Sequence, residues 1–312
     1  MLRSGISGVV LAQLMAALAA AQPAGAPERV NSAIEMLLED QPIYYTQTSG
    51  GGYEDGQRLA QTTADYITYE MEHGAFDMGE LRAFMQGLVD GGPAPTGHRT
   101  PAVVATLPVT GLDAPSMRAN AWVVQQVLAA GVHGILLTHA RDPEALRVLI
   151  EASRYPFAPG ADGLGQGLRG AGSESFAARI WGVSGNEYLR LADPWPLNPD
   201  GELFIGVKIE DSVALENAER TARVPGLAFA EWGPSDMELW LLGPPEPGRN
   251  ARTEPAMLAA RARVLEATRD AGIYFLDICN DRNVEAQIDD GVMICTGGAR
   301  VGRVYTGRDS AQ

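Results

Sequence analysis

Residues Leu203 to Gly243 read LFIGVKIEDSVALENAERTARVPGLAFAEWGPSDMELWLLG. Two short apolar runs, Phe204 to Ile209 and Leu227 to Ala230, each lead into a loop that carries a carboxylate, Glu210 after the first and Asp236 after the second. The segment between them has the pattern of an amphipathic helix. A strand, a helix and a strand of this length make a parallel crossover unit, and residues at the carboxyl ends of such strands face the site. Successive strand side chains point to opposite faces, which places Ile205, Val207 and Ile209 under the helices and Gly206, Lys208 and Glu210 toward a polar interior. Gly233-Pro234-Ser235-Asp236 reads as a tight turn into a short helix whose first free amides suit an anion. Two carboxylates beside an anion cradle suit a divalent cation with an oxyacid bound across it. The same acids also serve as ordinary helix caps, and spacing alone does not choose.

The whole chain has 312 residues, 46% of them hydrophobic and 20% charged. That is the composition of a globular protein and the ordinary size of one (β/α)8 barrel, so the expected architecture is α/β, a TIM barrel in a single domain spanning residues 27–312. A net charge of -15 argues against nucleic acid or an anionic membrane surface as partner. Lys208 stands as the sole lysine. Residues 1–26 read as a detachable leader: Arg3, an alanine-rich apolar run and small residues that fit a signal-peptidase site. The run is too short for a stable membrane span. The expectation is a periplasmic or secreted protein if the leader is cleaved, and a cytoplasmic one otherwise. Cys279 and Cys295 end two successive expected strands, and their pairing stays open, since two cysteines make no disulfide framework.

Eight strands are predicted, beginning at Ile43, Tyr66, Ala102, Gly134, Phe204, Leu227, Ile273 and Val292. Helices are predicted over Val30 to Asp40, Gln57 to Ala64, Met78 to Asp90, Ser116 to Ala130, Asp142 to Ser153, Pro255 to Ala271 and Val284 to Asp289. The stretch from Arg154 to Gly201 reads as one long loop. No zinc-type cluster of cysteine and histidine occurs.

The combination IE-x-x-x-A-L-E-N (Ile209 to Asn217), VPG (Val224 to Gly226) and GPSD (Gly233 to Asp236) resembles the HpcH/HpaI aldolase family, the metal-dependent pyruvate aldolases related to the citrate lyase beta subunit. YEMEHGAFD (Tyr69 to Asp77) is similar to that family's D-x-E-H-[AG] segment, with Glu70 in place of Asp. RYPFAPGADGLGQGLRGAGS (Arg154 to Ser173) is similar to its R-Y-P-P-x-G-x-R-G-x-G, with a longer spacer and Arg169-Gly170 at the R-G. The resemblance runs from about Arg29 to about Arg308.

This resemblance implies a divalent metal, Mg²⁺ or Mn²⁺ and alternatively Co²⁺, held by Glu210 and Asp236. It implies His73 as the proton-moving base with Glu70 orienting it, and the Ser235 and Asp236 amides as holders of a substrate carboxylate. The implied reaction is carbon-carbon cleavage of a 2-oxo acid through a pyruvate enolate, giving an aldehyde, in a homo-oligomer. Two departures stand out: Thr106 occupies the place of an arginine that polarises the substrate carbonyl, and Ala129 that of an aspartate that partners the histidine. Lys208, by strand parity, and Arg169, by its loop, are the candidate replacements for that arginine. His139 reads as a loop histidine, with a site role as the alternative. Two other functions are carried: a Schiff-base aldolase using Lys208, and a non-catalytic barrel that binds an organic acid.

Overall fold

The computed structural model describes residues 28–296. The leader and the tail after Thr296 lie outside them. Nine strands occur there: β1 (Ile43–Thr48), β2 (Tyr66–Glu70), β3 (Ala102–Thr110), β4 (Gly134–Thr138), β5 (Pro194–Trp195), β6 (Leu203–Lys208), β7 (Phe229–Glu231), β8 (Tyr274–Ile278) and β9 (Val292–Thr296). All pair in parallel. β1 pairs with both β2 and β9, and β4 pairs with both β3 and β6, so eight strands close into a barrel while the two-residue β5 lies against β6 outside the ring. The chain is therefore a single (β/α)8 barrel.

Two apolar layers hold it. Ile205, Val207 and Ile209 belong to the layer between strands and helices. Tyr66, Trp195, Phe204 and Phe229 fill the lower barrel interior, and helix Ser32–Leu38 seals the amino-terminal end with Ile34 and Leu37. Phe204 and Phe229 stack with centroids 4.5 Å apart, and Gly206 makes room for them, because a Cβ there would lie 2.2 Å from the Phe229 ring.

Several expected elements change. The helix expected over Ser116 to Ala130 is two, Ala114–Ala119 and Ala121–Ala129, because Asn120 turns its side-chain amide onto the Ser116 carbonyl at 2.9 Å and interrupts the ladder. The crossover after β6 likewise divides at Asn217 into Ser212–Glu216 and Ala218–Ala222, with the Asn217 amide donated to the Arg141 carbonyl. The stretch expected as one loop after Arg154 contains two helices, Glu174–Trp181 and Gly185–Leu191, as well as β5. The second of these helices starts with a reciprocal capping box between Ser184 and Glu187.

His133 supplies a pH dependence. It is buried, stacked on Trp181, and its Nδ1 accepts the Val103 amide at 3.1 Å. Burial, helped by nearby His98, pushes its pKa down to about 3. The unfolded chain takes up this proton near pH 6.5 and the folded chain does not, so stability is full above that pH and falls as pH drops toward 3. Between pH 7 and pH 5 the loss from this residue should be about 2 kcal/mol. Urea unfolding of the wild type and of His133→Gln at both pH values isolates it: relative to the wild type, the variant should gain about 2 kcal/mol on going from pH 7 to pH 5.

Candidate active site

β6 ends at Lys208, and two residues further on Glu210 sits nearly inaccessible, 1% exposed, in the mouth of the barrel. A cavity of about 410 Å³ opens above it, lined among others by Glu70, His73, Thr106, Lys208, Glu231 and Asp236. Strand ends therefore bring together most of the residues singled out from the sequence. Gly233 lets β7 approach: its φ is +50°, and a Cβ there would lie 2.2 Å from Glu210 Cβ and 2.6 Å from Glu210 Oε2. The turn leads into helix Pro234–Leu242, with Ser235 and Asp236 in its first turn, Ser235 exposed and Asp236 half-buried.

Lys208 Nζ lies 2.6 Å from Glu72 Oε2 and 4.0 Å from Glu210 Oε2. Burial disfavours its charge, but Glu231, Glu210 and Glu72 together outweigh that and hold the ammonium above its ordinary pKa. The carboxylates show the converse. Burial pushes Glu210 up to about 8, with Glu72 and Glu231 adding to the effect and Lys208 and the His139 amide offsetting part of it. Burial likewise pushes Glu231 up to about 7, opposed by Lys208 and reinforced by Asp277, Glu72 and Glu70. Four glutamates, Glu70, Glu72, Glu210 and Glu231, thus crowd around one lysine.

Ligand atoms of Glu72, His139 and Glu210 all lie within 4.8 Å of one another, a group that could hold a metal ion. Carboxylate and imidazole donors next to surplus negative charge fit a divalent cation. Asp236 lines the same cavity but lies outside this group of three, although its charge reaches His139.

His73 faces the cavity with a largely exposed side chain, 74%, and its Nε2 is 3.8 Å from Glu72 Oε2. Glu70 does not meet the ring. Its Oε1 accepts the backbone amides of Glu72, at 2.5 Å, and His73, at 3.3 Å. The expectation that Glu70 orients the imidazole is thereby corrected: Glu70 shapes the loop, and Glu72 is the carboxylate beside the ring. Arg169 is corrected too. It is buried away from the cavity, stacked on Tyr155 at 4.4 Å and donating to the Tyr188 hydroxyl at 2.9 Å, so it builds the wall between helices. Thr106 is buried in the cavity wall, and its Oγ1 has no partner.

The sequence reading missed Glu72 and Glu231. For His139 the contacts favour the alternative it kept, a role at the site, over the loop reading: its amide donates to Glu210 Oε1 at 2.9 Å and its Nδ1 lies 2.8 Å from Asp211 Oδ2. The Asp211 hydrogen bond raises its pKa, against burial and with help from Glu210. Burial works against the Asp211 charge, but hydrogen bonds from His139, Arg141 and the Ala214 amide hold its pKa down to about 2. Strand parity carried across to β7 points to Glu231, since Phe229 faces inward. Cys279 and Cys295, left open above, are joined in a disulfide, with Cα atoms 5.5 Å apart.

No family model matches the chain. Over 244 residues it is 23% identical to the hydroxypyruvate/pyruvate aldolase of Paraburkholderia phytofirmans, covering 78% of this chain and 83% of the relative. It is 29% identical to the protein of the same name from Cupriavidus necator over 223 residues, 70% of each chain. In fold it is similar to an HpcH/HpaI aldolase/citrate lyase family protein from Burkholderia cenocepacia, with a TM-score of 0.65 and 22% identity over 85% of this chain and 91% of that one.

Proposed function

Because this barrel belongs with the HpcH/HpaI aldolase family, we propose that it is a divalent-cation-dependent lyase that makes or breaks a carbon-carbon bond in 2-oxo acids of the pyruvate type. The observation that carries this reading is the crowd of buried carboxylates with a single lysine among them at the barrel mouth, beside the Glu72, His139 and Glu210 donor group. A divalent cation bound there would act as a Lewis acid toward a 2-oxo group and its carboxylate.

The remaining work falls to side chains. In the cleavage direction the C4 hydroxyl loses its proton as the C3–C4 bond breaks. The electron pair stays on C3 as the enolate of pyruvate, and a proton is then delivered to C3. His73, beside Glu72 at the open side of the cavity, is placed to move that proton. The Ser235 and Asp236 amides, in the first turn of helix Pro234–Leu242, suit the substrate carboxylate. Lys208 and the unpartnered Thr106 hydroxyl face the same cavity and supply donors for the developing oxyanion. A Schiff base at Lys208 is disfavoured, because it needs a neutral amine and three glutamates keep this one charged.

The test is exchange of pyruvate methyl protons with deuterated water, followed by NMR with Mg²⁺, Mn²⁺ or Co²⁺ added to chelator-treated protein. Exchange should depend on the cation, and Glu210→Ala should reduce it by at least about 10³-fold. Exchange that survives chelation, or that Glu210→Ala leaves intact, would overturn the reading. Pyruvate binding with no exchange and no aldol turnover would make the barrel a binding protein.

A further inference from the structure

We infer that His139 is a nitrogen ligand of the cation held beside Glu210, and that it tilts the site toward Co²⁺ over Mg²⁺. This rests on the divalent-cation reading above. The argument starts with the backbone. His139 follows β4 with φ +44°, a left-handed conformation that is uncommon outside glycine and persists where surrounding contacts over-determine it. Two contacts do so: the amide donates to Glu210 Oε1, and ring Nδ1 meets Asp211 Oδ2 at 2.8 Å.

Asp211 is itself fixed. It is fully buried, its Oδ2 also receives Arg141 Nε at 2.8 Å, and its Oδ1 caps the next helix through the amides of Val213 and Ala214. A carboxylate that holds one ring nitrogen sets the tautomer and raises the basicity of the other, the arrangement found behind metal-ligating histidines. With Nδ1 taken, Nε2 remains as the donor, and a donor atom of this ring lies within 4.8 Å of those of Glu210 and Glu72. Lys208 Nζ is 2.6 Å from Glu72 but 4.0 Å from Glu210. The ammonium's direct hold is on Glu72, which leaves Glu210 to share a cation with the imidazole. Imidazole favours Co²⁺ and the later first-row metals, whereas an all-oxygen site suits Mg²⁺ and Mn²⁺.

The experiment is pulsed EPR of the full chain loaded with Mn²⁺, with titration calorimetry of Mn²⁺, Co²⁺ and Mg²⁺. The wild type should show electron spin-echo modulation from a directly bound ¹⁴N. That signal should change on ¹⁵N-histidine labelling, vanish in His139→Asn and persist in His73→Asn. Asparagine is chosen because it tolerates positive φ. His139→Asn should weaken Co²⁺ binding by about 10-fold or more while changing Mn²⁺ and Mg²⁺ binding less. Asp211→Asn, which keeps the helix cap, should lower Co²⁺ affinity by about 10–100-fold. Mn²⁺ binding that depends on Glu210 but shows no nitrogen in the wild-type spectrum overturns this inference alone, as does a nitrogen signal that survives His139→Asn. Mn²⁺ binding indifferent to Glu210→Gln, or no Mn²⁺ binding at all, overturns the cation reading with it.

Discussion

Gly233→Ala should lower turnover by about 100-fold or more while leaving the barrel folded, because a misplacement on the order of 1 Å at a reacting group costs that much. Left-handed backbone at an alanine costs only about 1–2 kcal/mol. The larger obstacle is contact, since the new methyl would lie 2.2 Å from Glu210 Cβ and 2.6 Å from its Oε2. Cβ is not the far end of a flexible chain, so either the β7 turn or the Glu210 backbone must shift. A shift of Glu210 separates it from the His139 amide, and a shift of the turn moves Ser235 and Asp236. Gly272→Ala is the control: it ends helix Pro255–Ala271 in the same left-handed region, with φ +71° and ψ +27°, and nothing lies within 4 Å of the added carbon. It should share the small conformational cost and keep activity. Steady-state kinetics with thermal unfolding of both variants checks the expectation, and equal activity in the two would show that close packing at Gly233 is unimportant.

Lys208→Met is the second large effect. Its ammonium is half-buried and bonded to Glu72, and it is the charge that opposes the upward pKa shifts of both Glu210 and Glu231. Removing one partner of a buried ion pair costs about 3–5 kcal/mol when the other stays charged. Here the glutamates can take up protons instead, and the sign of the pH dependence follows. A carboxyl whose folded pKa lies above its unfolded value binds the proton more tightly when folded. Its stabilising contribution is full below the unfolded pKa, near 4.3, and is lost as pH rises through the folded one. In the wild type that window already extends to about 7 for Glu231 and about 8 for Glu210. In chelated buffer Lys208→Met should therefore be close to wild type in stability at pH 5 and clearly weaker at pH 8.5, with turnover at least about 100-fold down through loss of an oxyanion donor. Urea midpoints at the two pH values, with kcat measured alongside, decide it. A uniform loss of stability with full activity would assign Lys208 a purely structural part.

How far the sequence could be read depended on the range of the interactions involved. Alternation along Phe204 to Ile209 set Lys208 and Glu210 on the inner face, and the eight apolar runs located the barrel strands, because both signals are local. Asn120 and Asn217 defeated the helix boundaries through side-chain hydrogen bonds that leave no trace in hydrophobic period. The helix Gly185–Leu191 was legible in principle, as Ser184 and Glu187 spell a capping box inside a glycine-rich stretch. Arg169 misled because resemblance along the chain carries no information about where a loop returns, and here it returns to Tyr155 and Tyr188. Glu72 and His139 owe their places to contacts with Lys208 and Asp211, 136 and 72 residues away, which no local pattern encodes.

The aromatic floor has a bearing on traffic. Helix Ser32–Leu38 and the Phe204, Phe229, Tyr66 and Trp195 side chains close the lower end of the barrel, so among the described residues the cup opens at its upper end. Whatever lies deepest enters first and leaves last. On the proposed function, an oxo acid held beside Glu210 would sit beneath the fragment it is joined to, and the aldehyde would clear the mouth before pyruvate. The order of release would then follow from the packing of the barrel floor, far from any group that touches the reacting bond.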